Sequence, residues 1–129
     1  MMSGIRGSNT KLEQMVRRAL HARGLRYRLG GAGLPGRPDI VFPRFRTAVF
    51  VHGCFWHGHS CPLFRLPKTR PDFWRHKIES NKERDTRVLL QLADLGWRTL
   101  IVWECSLRGA SEGERLKFFD KLAESIRSS

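Results

Sequence analysis

Two cysteines and two histidines crowd into eight positions, Cys54, His57, His59 and Cys61, and a third cysteine, Cys105, stands far downstream. The segment around them, residues 52–71, is rich in Gly and Pro and has neither helical nor strand periodicity, as a metal-organised loop would. An odd cysteine count without a secretory signal speaks against a disulfide framework and for metal binding or catalysis. Structural zinc sites close with four tetrahedral N/S ligands. Three thiolates and one imidazole would do so, as in the set Cys54, His59, Cys61 and Cys105. Spacing alone leaves open which histidine is the ligand. The alternative, three cysteines packed as small hydrophobes, does not explain two cysteines flanking two histidines. With Cys105 as a ligand, the metal would staple the loop to the sheet.

The chain has 129 residues, the size of one domain, with 1–9 polar and expected to be flexible. Hydrophobic residues at 40% and charged residues at 28% fit a globular protein rather than a disordered one. No apolar run spans a bilayer and no signal peptide is legible, so a cytoplasmic protein is the default expectation, with no membrane partner. Lys and Arg number 24 against 12 acidic residues, for a net charge of +12. Such an excess points to a polyanionic partner bound through counterion release, with nucleic acid ahead of an anionic membrane surface.

Leu12, Met15, Val16, Ala19 and Leu20 recur at helical intervals, so residues 11–23 read as a helix. Thr10 is placed to cap it, with Glu13 in the spacing of a capping box, and Gly24 to stop it. Leu25 to Leu29 is a candidate short strand, and Gly30 to Pro38 is a loop. Strands are expected at Asp39 to Phe42 and Thr47 to Val51, joined by a turn from Pro43 to Arg46. Asp72 is placed to cap a helix running to about Leu95, followed by a strand from Trp97 to Glu104. A last helix starts at Ser111 or Glu112, with Leu116, Phe119, Leu122 and Ile126 on one face. This order predicts an α/β (α+β) fold, a mixed sheet flanked by helices, with the long helix as crossover between parallel strands.

If the first two strands form a hairpin, Asp39 and His52 meet at one edge. A carboxylate there suits magnesium, which prefers oxygen ligands. A neighbouring histidine can activate water or protonate a leaving oxygen, and His57, if it is not on the metal, is a second acid or base. Phosphodiester hydrolysis needs these parts. Phe55, Trp56 and Trp74 lie beside basic residues that include Lys77, and apolar wedges of this kind unstack base pairs, most cheaply at a mismatch.

Leu34-Pro35-Gly36-Arg37-Pro38-Asp39, His52-Gly53-Cys54-Phe55-Trp56-His57 and Val102-Trp103-Glu104-Cys105 resemble the very-short-patch repair (Vsr) mismatch endonucleases. The likeness runs from Thr10 to Cys105. It implies a PD-(D/E)xK nuclease fold with a structural zinc site and a magnesium-dependent nick, leaving a 5′-phosphate, on the 5′ side of the thymine in T·G mismatches. It implies that Asp39 binds magnesium, that His57 is the general base and that His52 serves the scissile phosphate. Cys54, His59, Cys61 and Cys105 become the zinc ligands. Glu13 and Asp85 support the metal waters and the histidines, Phe55, Trp56 and Trp74 form the wedge, and Lys77 and Asn81 contact DNA. Phe50-Val51-His52 stands where the general motif has E-x-K. Val51 replaces a Thr of some members, so its magnesium contact would be through the backbone carbonyl. The resemblance makes mismatch-repair proteins and a DNA cytosine methyltransferase candidate partners of a monomer associated with the nucleoid. The competing readings are a less specific nicking or restriction-type endonuclease, a non-catalytic zinc-stabilised DNA-binding module and an RNA-binding protein.

Overall fold

A computed structural model describes residues 2–54, 58, 59, 61 and 65–128, with backbone alone at 2–10, 30 and 32. Its elements are α1 (Met2–Ala22), β1 (Ile40–Phe42), β2 (Thr47–His52), α2 (Pro71–Asp94), β3 (Arg98–Trp103), α3 (Glu104–Leu107) and α4 (Glu112–Arg127).

The described strands form one mixed sheet in the order β1-β2-β3. β1 and β2 pair antiparallel, with Ile40 opposite Val49 and Phe42 opposite Thr47. Pro43, which has no N–H for the ladder, opens a one-turn 3-10 helix, and Arg46 (φ 46) reverses the chain into β2. β2 and β3 run parallel, in register from Thr47–Arg98 to His52–Trp103. A parallel return needs a long crossover, and α2 supplies it.

Strand side chains alternate between faces. Val49, Val51 and Val102 face α1 and α4, burying a cluster with Val16, Leu20, Leu107, Phe119 and Ile126. Ala48 and Phe50 face α2 and pack on Leu92, with Val88 and Ile101 beside it. Arg46 ties α2 to the sheet by donating to the Leu95 and Gly96 carbonyls at 2.9 and 3.3 Å.

Several expectations change. Helix α1 begins at Met2, well before Lys11. No proline interrupts residues 2–10, and a helix anchored by a packed half extends cheaply. Thr10 therefore lies inside the helix, and Glu13 is not part of a capping box. Leu25 to Leu29 is no strand but a segment tied to β1 by one antiparallel bridge, Arg28–Val41. Asp72 is not the cap of α2. Arg70 holds that position and Pro71 the next, where its missing N–H costs nothing, so Asp72 falls in the first turn. Ser111 caps α4 in a full capping box with Glu114. Leu116 is exposed, whereas Phe119 and Ile126 are buried.

Candidate active site and metal centre

Asp39 stands one step before β1 and so beside the C-terminal half of β2. Its Oδ2 accepts a 2.6 Å hydrogen bond from the Val51 N–H. His52 closes β2 on the face toward α2, buried, with its ring edge-on to Trp103 at 5.2 Å. The two strands and α2 enclose a cavity of about 690 Å³ whose walls include Arg37, Asp39, Val51, His52, Arg84 and Asp85. Glu13 reaches Asp39 from the other side, through a 230 Å³ recess that both line with Arg37. It also pairs with Arg17 at 3.5 Å. At the cavity rim Gly36 lies flush on α2. Its φ is +74°, and a Cβ there would come within 2.4 Å of the Val88 side chain, so only glycine fits.

The metal centre follows from the β2–β3 register. His52 pairs with Trp103, and two residues further each strand delivers a cysteine, Cys54 and Cys105. His59 and Cys61 return to the same point, and the four donor atoms all lie within 4.8 Å of one another. His59 Nδ1 is 3.6 Å from Cys54 Sγ and 3.5 Å from Cys105 Sγ. This set can hold a metal ion. The His59 ring stacks on Trp103, centroids 4.0 Å apart, which fixes its plane. Burial pushes the Cys54 thiol up to about 12. It raises Cys105 too, so without a cation both stay protonated at neutral pH. Glu104 braces the loop, accepting from the Cys54 N–H at 3.2 Å and from Arg108 at 2.8 Å.

A shallower groove of about 390 Å³ runs along α2, lined by Phe73, His76, Lys77, Ser80, Asn81 and Arg84. Arg84 also lines the main cavity, so groove and cavity adjoin. Trp74 is half-buried in the first turn of α2, edge-on to Phe73 at 5.2 Å.

A family model described as DNA mismatch endonuclease Vsr matches residues 1–63. Over 108 residues the chain is 50% identical to the DNA mismatch endonuclease Vsr of Escherichia coli (strain K12), covering 84% of this chain and 69% of that protein. The chain belongs to the DNA mismatch endonuclease Vsr family. It is also 49% identical over 122 residues to the type II nicking enzyme V.XorIIP of Xanthomonas oryzae pv. oryzae, covering 93% of this chain and 90% of that protein. The type II nicking enzyme V.NmeAIP of Neisseria meningitidis is 44% identical over 108 residues, 84% of this chain and 77% of its own.

In this Vsr-family chain the structure gathers Asp39, Val51, His52 and Asp85 around one cavity, with Glu13 at the recess behind Asp39. It collects Cys54, His59, Cys61 and Cys105 into one cluster. Lys77 and Asn81 share the adjoining groove, whose described lining includes Phe73 rather than Trp74. Phe55, Trp56 and His57 lie outside the described residues. Sequence reasoning missed Arg37, Arg84 and Glu104. Arg84 had a signal, because Trp74, Lys77, Asn81, Arg84 and Val88 recur at helical spacing and so share one face of α2. Glu104 sits beside Cys105, but its bond to Cys54 spans fifty residues and carries no local pattern.

Proposed function

We propose that this chain nicks one strand of double-stranded DNA on the 5′ side of the thymine in T·G mismatches, with a PD-(D/E)xK-type centre. The observation that carries the reading is the convergence of Asp39, His52 and Asp85 on one cavity beside a basic groove, in a member of this family.

Asp39, oriented by the Val51 N–H, presents a carboxylate oxygen to the cavity, and the Val51 carbonyl is the second oxygen donor. These hard oxygen donors suit magnesium, which when bound supplies charge stabilisation for the phosphate. His57 takes the proton of the attacking water. His52, held between Phe50 and Trp103, gives a proton to the leaving 3′ oxygen, which yields a 3′-hydroxyl and a 5′-phosphate. Asp85 and Glu13 orient the water and the imidazoles. Lys77 and Asn81 hold the backbone, and Phe55, Trp56 and Trp74 form the wedge that enters at the weakly stacked mismatch.

The donor set fits zinc. Tetrahedral Zn–S and Zn–N bonds of about 2.3 and 2.05 Å put sulfur and nitrogen roughly 3.6 Å apart. The spacings here are 3.6 and 3.5 Å. Zinc would act structurally, holding the loop with Phe55, Trp56 and His57 against the sheet. The chain is read as a cytoplasmic, nucleoid-associated monomer. Mismatch-repair proteins and a DNA cytosine methyltransferase are its candidate partners.

The test is the nicking of labelled duplexes with and without one T·G pair, in Mg²⁺, by wild type and D39A. Nicking confined to the T·G duplex and lost in D39A is expected. No nicking of either duplex by the wild type overturns the reading. Equal nicking of both supports a less specific nicking enzyme of the same fold. DNA binding indifferent to Mg²⁺ and to H57A supports a non-catalytic module.

A further inference from the structure

Among the described residues, three that are not glycine have positive φ, and all three are arginines. Two of them gain a structural contact. Arg46 donates to the Leu95 and Gly96 carbonyls, and the Arg70 guanidinium lies 4.5 Å from the centre of the Phe73 ring. The third is Arg37, with φ +49°. A left-handed backbone is unfavourable for any residue with a Cβ. Pro38 follows, and the residue before a proline favours the extended region, so the conformation is disfavoured twice.

The surroundings impose it. Gly36 lies flush on Val88, and a Cβ on Gly31 would stand 2.9 Å from the Arg37 Cα, so the backbone of Gly36 and Arg37 is held from two sides. Glycine would adopt this backbone without strain, yet an arginine stands there. Among the described residues no hydrogen bond, ion pair or ring contact holds its side chain, so the strain gives the fold no contact in return. A residue kept in a disfavoured conformation beside a cavity points to use of its side chain there.

Its place indicates the use. Among the described residues, Arg37 and Asp39 alone line both the 690 Å³ cavity and the 230 Å³ recess. Three carboxylates surround them, Asp39 and Asp85 at the cavity and Glu13 in the recess. A backbone phosphate entering there meets like charge, which a cation must offset. Arg84, the other cation of the cavity lining, donates to Asn81 at 3.2 Å and also lines the groove on α2. Arg37 stands two residues from Asp39 and is exposed, so its guanidinium is open to a ligand. A guanidinium presents a planar fork that matches two phosphate oxygens.

Building on the nuclease reading above, we propose that Arg37 touches the phosphate that is cut. Its guanidinium binds the non-bridging oxygens and offsets the charge that grows on them, in a site whose carboxylates would otherwise repel that phosphate. Arg37 is thus a further catalytic residue, and its left-handed backbone aims the side chain at the reacting group.

The test joins a binding cycle to a rate. T·G duplexes carry either an ordinary phosphate or an uncharged methylphosphonate on the 5′ side of the thymine. Fluorescence anisotropy without Mg²⁺ gives Kd for wild type and R37Q. On the ordinary duplex R37Q should bind about tenfold more weakly, as for loss of one charge-assisted hydrogen bond. Its log–log salt slope should shrink by about 0.9, one phosphate contact. On the methylphosphonate duplex the two proteins should differ by less than about twofold, because the partner charge is gone. In single-turnover nicking with saturating enzyme and Mg²⁺, R37Q and R37G should be slower by at least about 100-fold. R37K, which keeps the charge but not the fork, should be slower by about tenfold. R37G should melt at or above the wild-type temperature, since glycine relieves the backbone, and this separates lost rate from lost folding.

An equal effect of R37Q on both duplexes overturns the contact. R37Q nicking at the wild-type rate when saturated overturns the charge role. R37G melting several degrees below wild type would make the side chain a support of the fold and overturn the proposal too. The binding cycle needs no cleavage. A wild type that shows the coupling but does not nick sinks the nuclease reading and supports the phosphate contact, whereas one that nicks without the coupling sinks this proposal alone.

Discussion

Replacing Asp39 by asparagine and by alanine separates the two jobs its carboxylate performs. The carboxylate accepts the Val51 N–H at 2.6 Å, which ties the start of β1 to the end of β2. A hydrogen bond to a charged group contributes about 1.5–3 kcal/mol. Asp39 is only half-buried, so solvent recovers part of the loss and D39A should cost about 1–2 kcal/mol. In a chain of this length that lowers Tm by about 3–10 °C. Asparagine keeps an oxygen for the same N–H, so D39N should melt within about 2 °C of wild type. The negative charge is gone in both. Losing several kcal/mol of charge stabilisation at the phosphate slows nicking at least about 100-fold in either variant. Circular dichroism melting and gel-based nicking of a T·G duplex measure the two effects separately. D39A melting like wild type would refute the structural half, and D39N nicking at the wild-type rate would refute the catalytic half.

Purified protein should carry one metal ion per chain by elemental analysis, and C105S should lose it together with thermal stability. Because burial holds the Cys54 and Cys105 thiols protonated without a cation, metal uptake near neutral pH should release about three protons and weaken as pH falls. Calorimetry in two buffers counts those protons, and none released would exclude thiolate ligation. G36A combines a left-handed backbone at +74° with a methyl group 2.4 Å from Val88. It should cost about 2–4 kcal/mol, and adding V88A should recover only the steric part in a double-mutant cycle read by urea melts. S111A should lower stability by about 1 kcal/mol through the lost cap of α4. The Ser111 backbone N–H and hydroxyl hold the Glu114 carboxyl below its ordinary value. Its contribution is therefore complete above the unfolded carboxylate value and lost as pH falls through the folded one, and E114Q should flatten that part of the stability–pH curve.

Local patterns located most elements. The continuous apolar runs around Val41 and Val49 and the 3.6-period stripe of α4 match β1, β2 and the buried Phe119 and Ile126. Element ends were less legible, because capping and bridging are decided by neighbours. Arg70 and Pro71 overrode the capping signal of Asp72. Leu25 to Leu29 found a single bridge to β1 instead of a strand partner.

Which residue types do chemistry was written in the chain itself. Thiols and imidazoles at short spacing, a carboxylate after a Gly-Pro loop and a twofold excess of cations are chemical properties that no folding step alters. Their mutual distances are another matter. The in-register parallel pairing of His52 with Trp103, set by sheet hydrogen bonds across a twenty-four-residue helix, is what carries Cys105 to Cys54. The same pairing sets Glu104 under the Cys54 N–H, and the packing of α2 on Ala48 and Phe50 brings Asp85 to the cavity of Asp39 and His52. Contacts of that range depend on how whole elements pack, and no local stretch of residues encodes them.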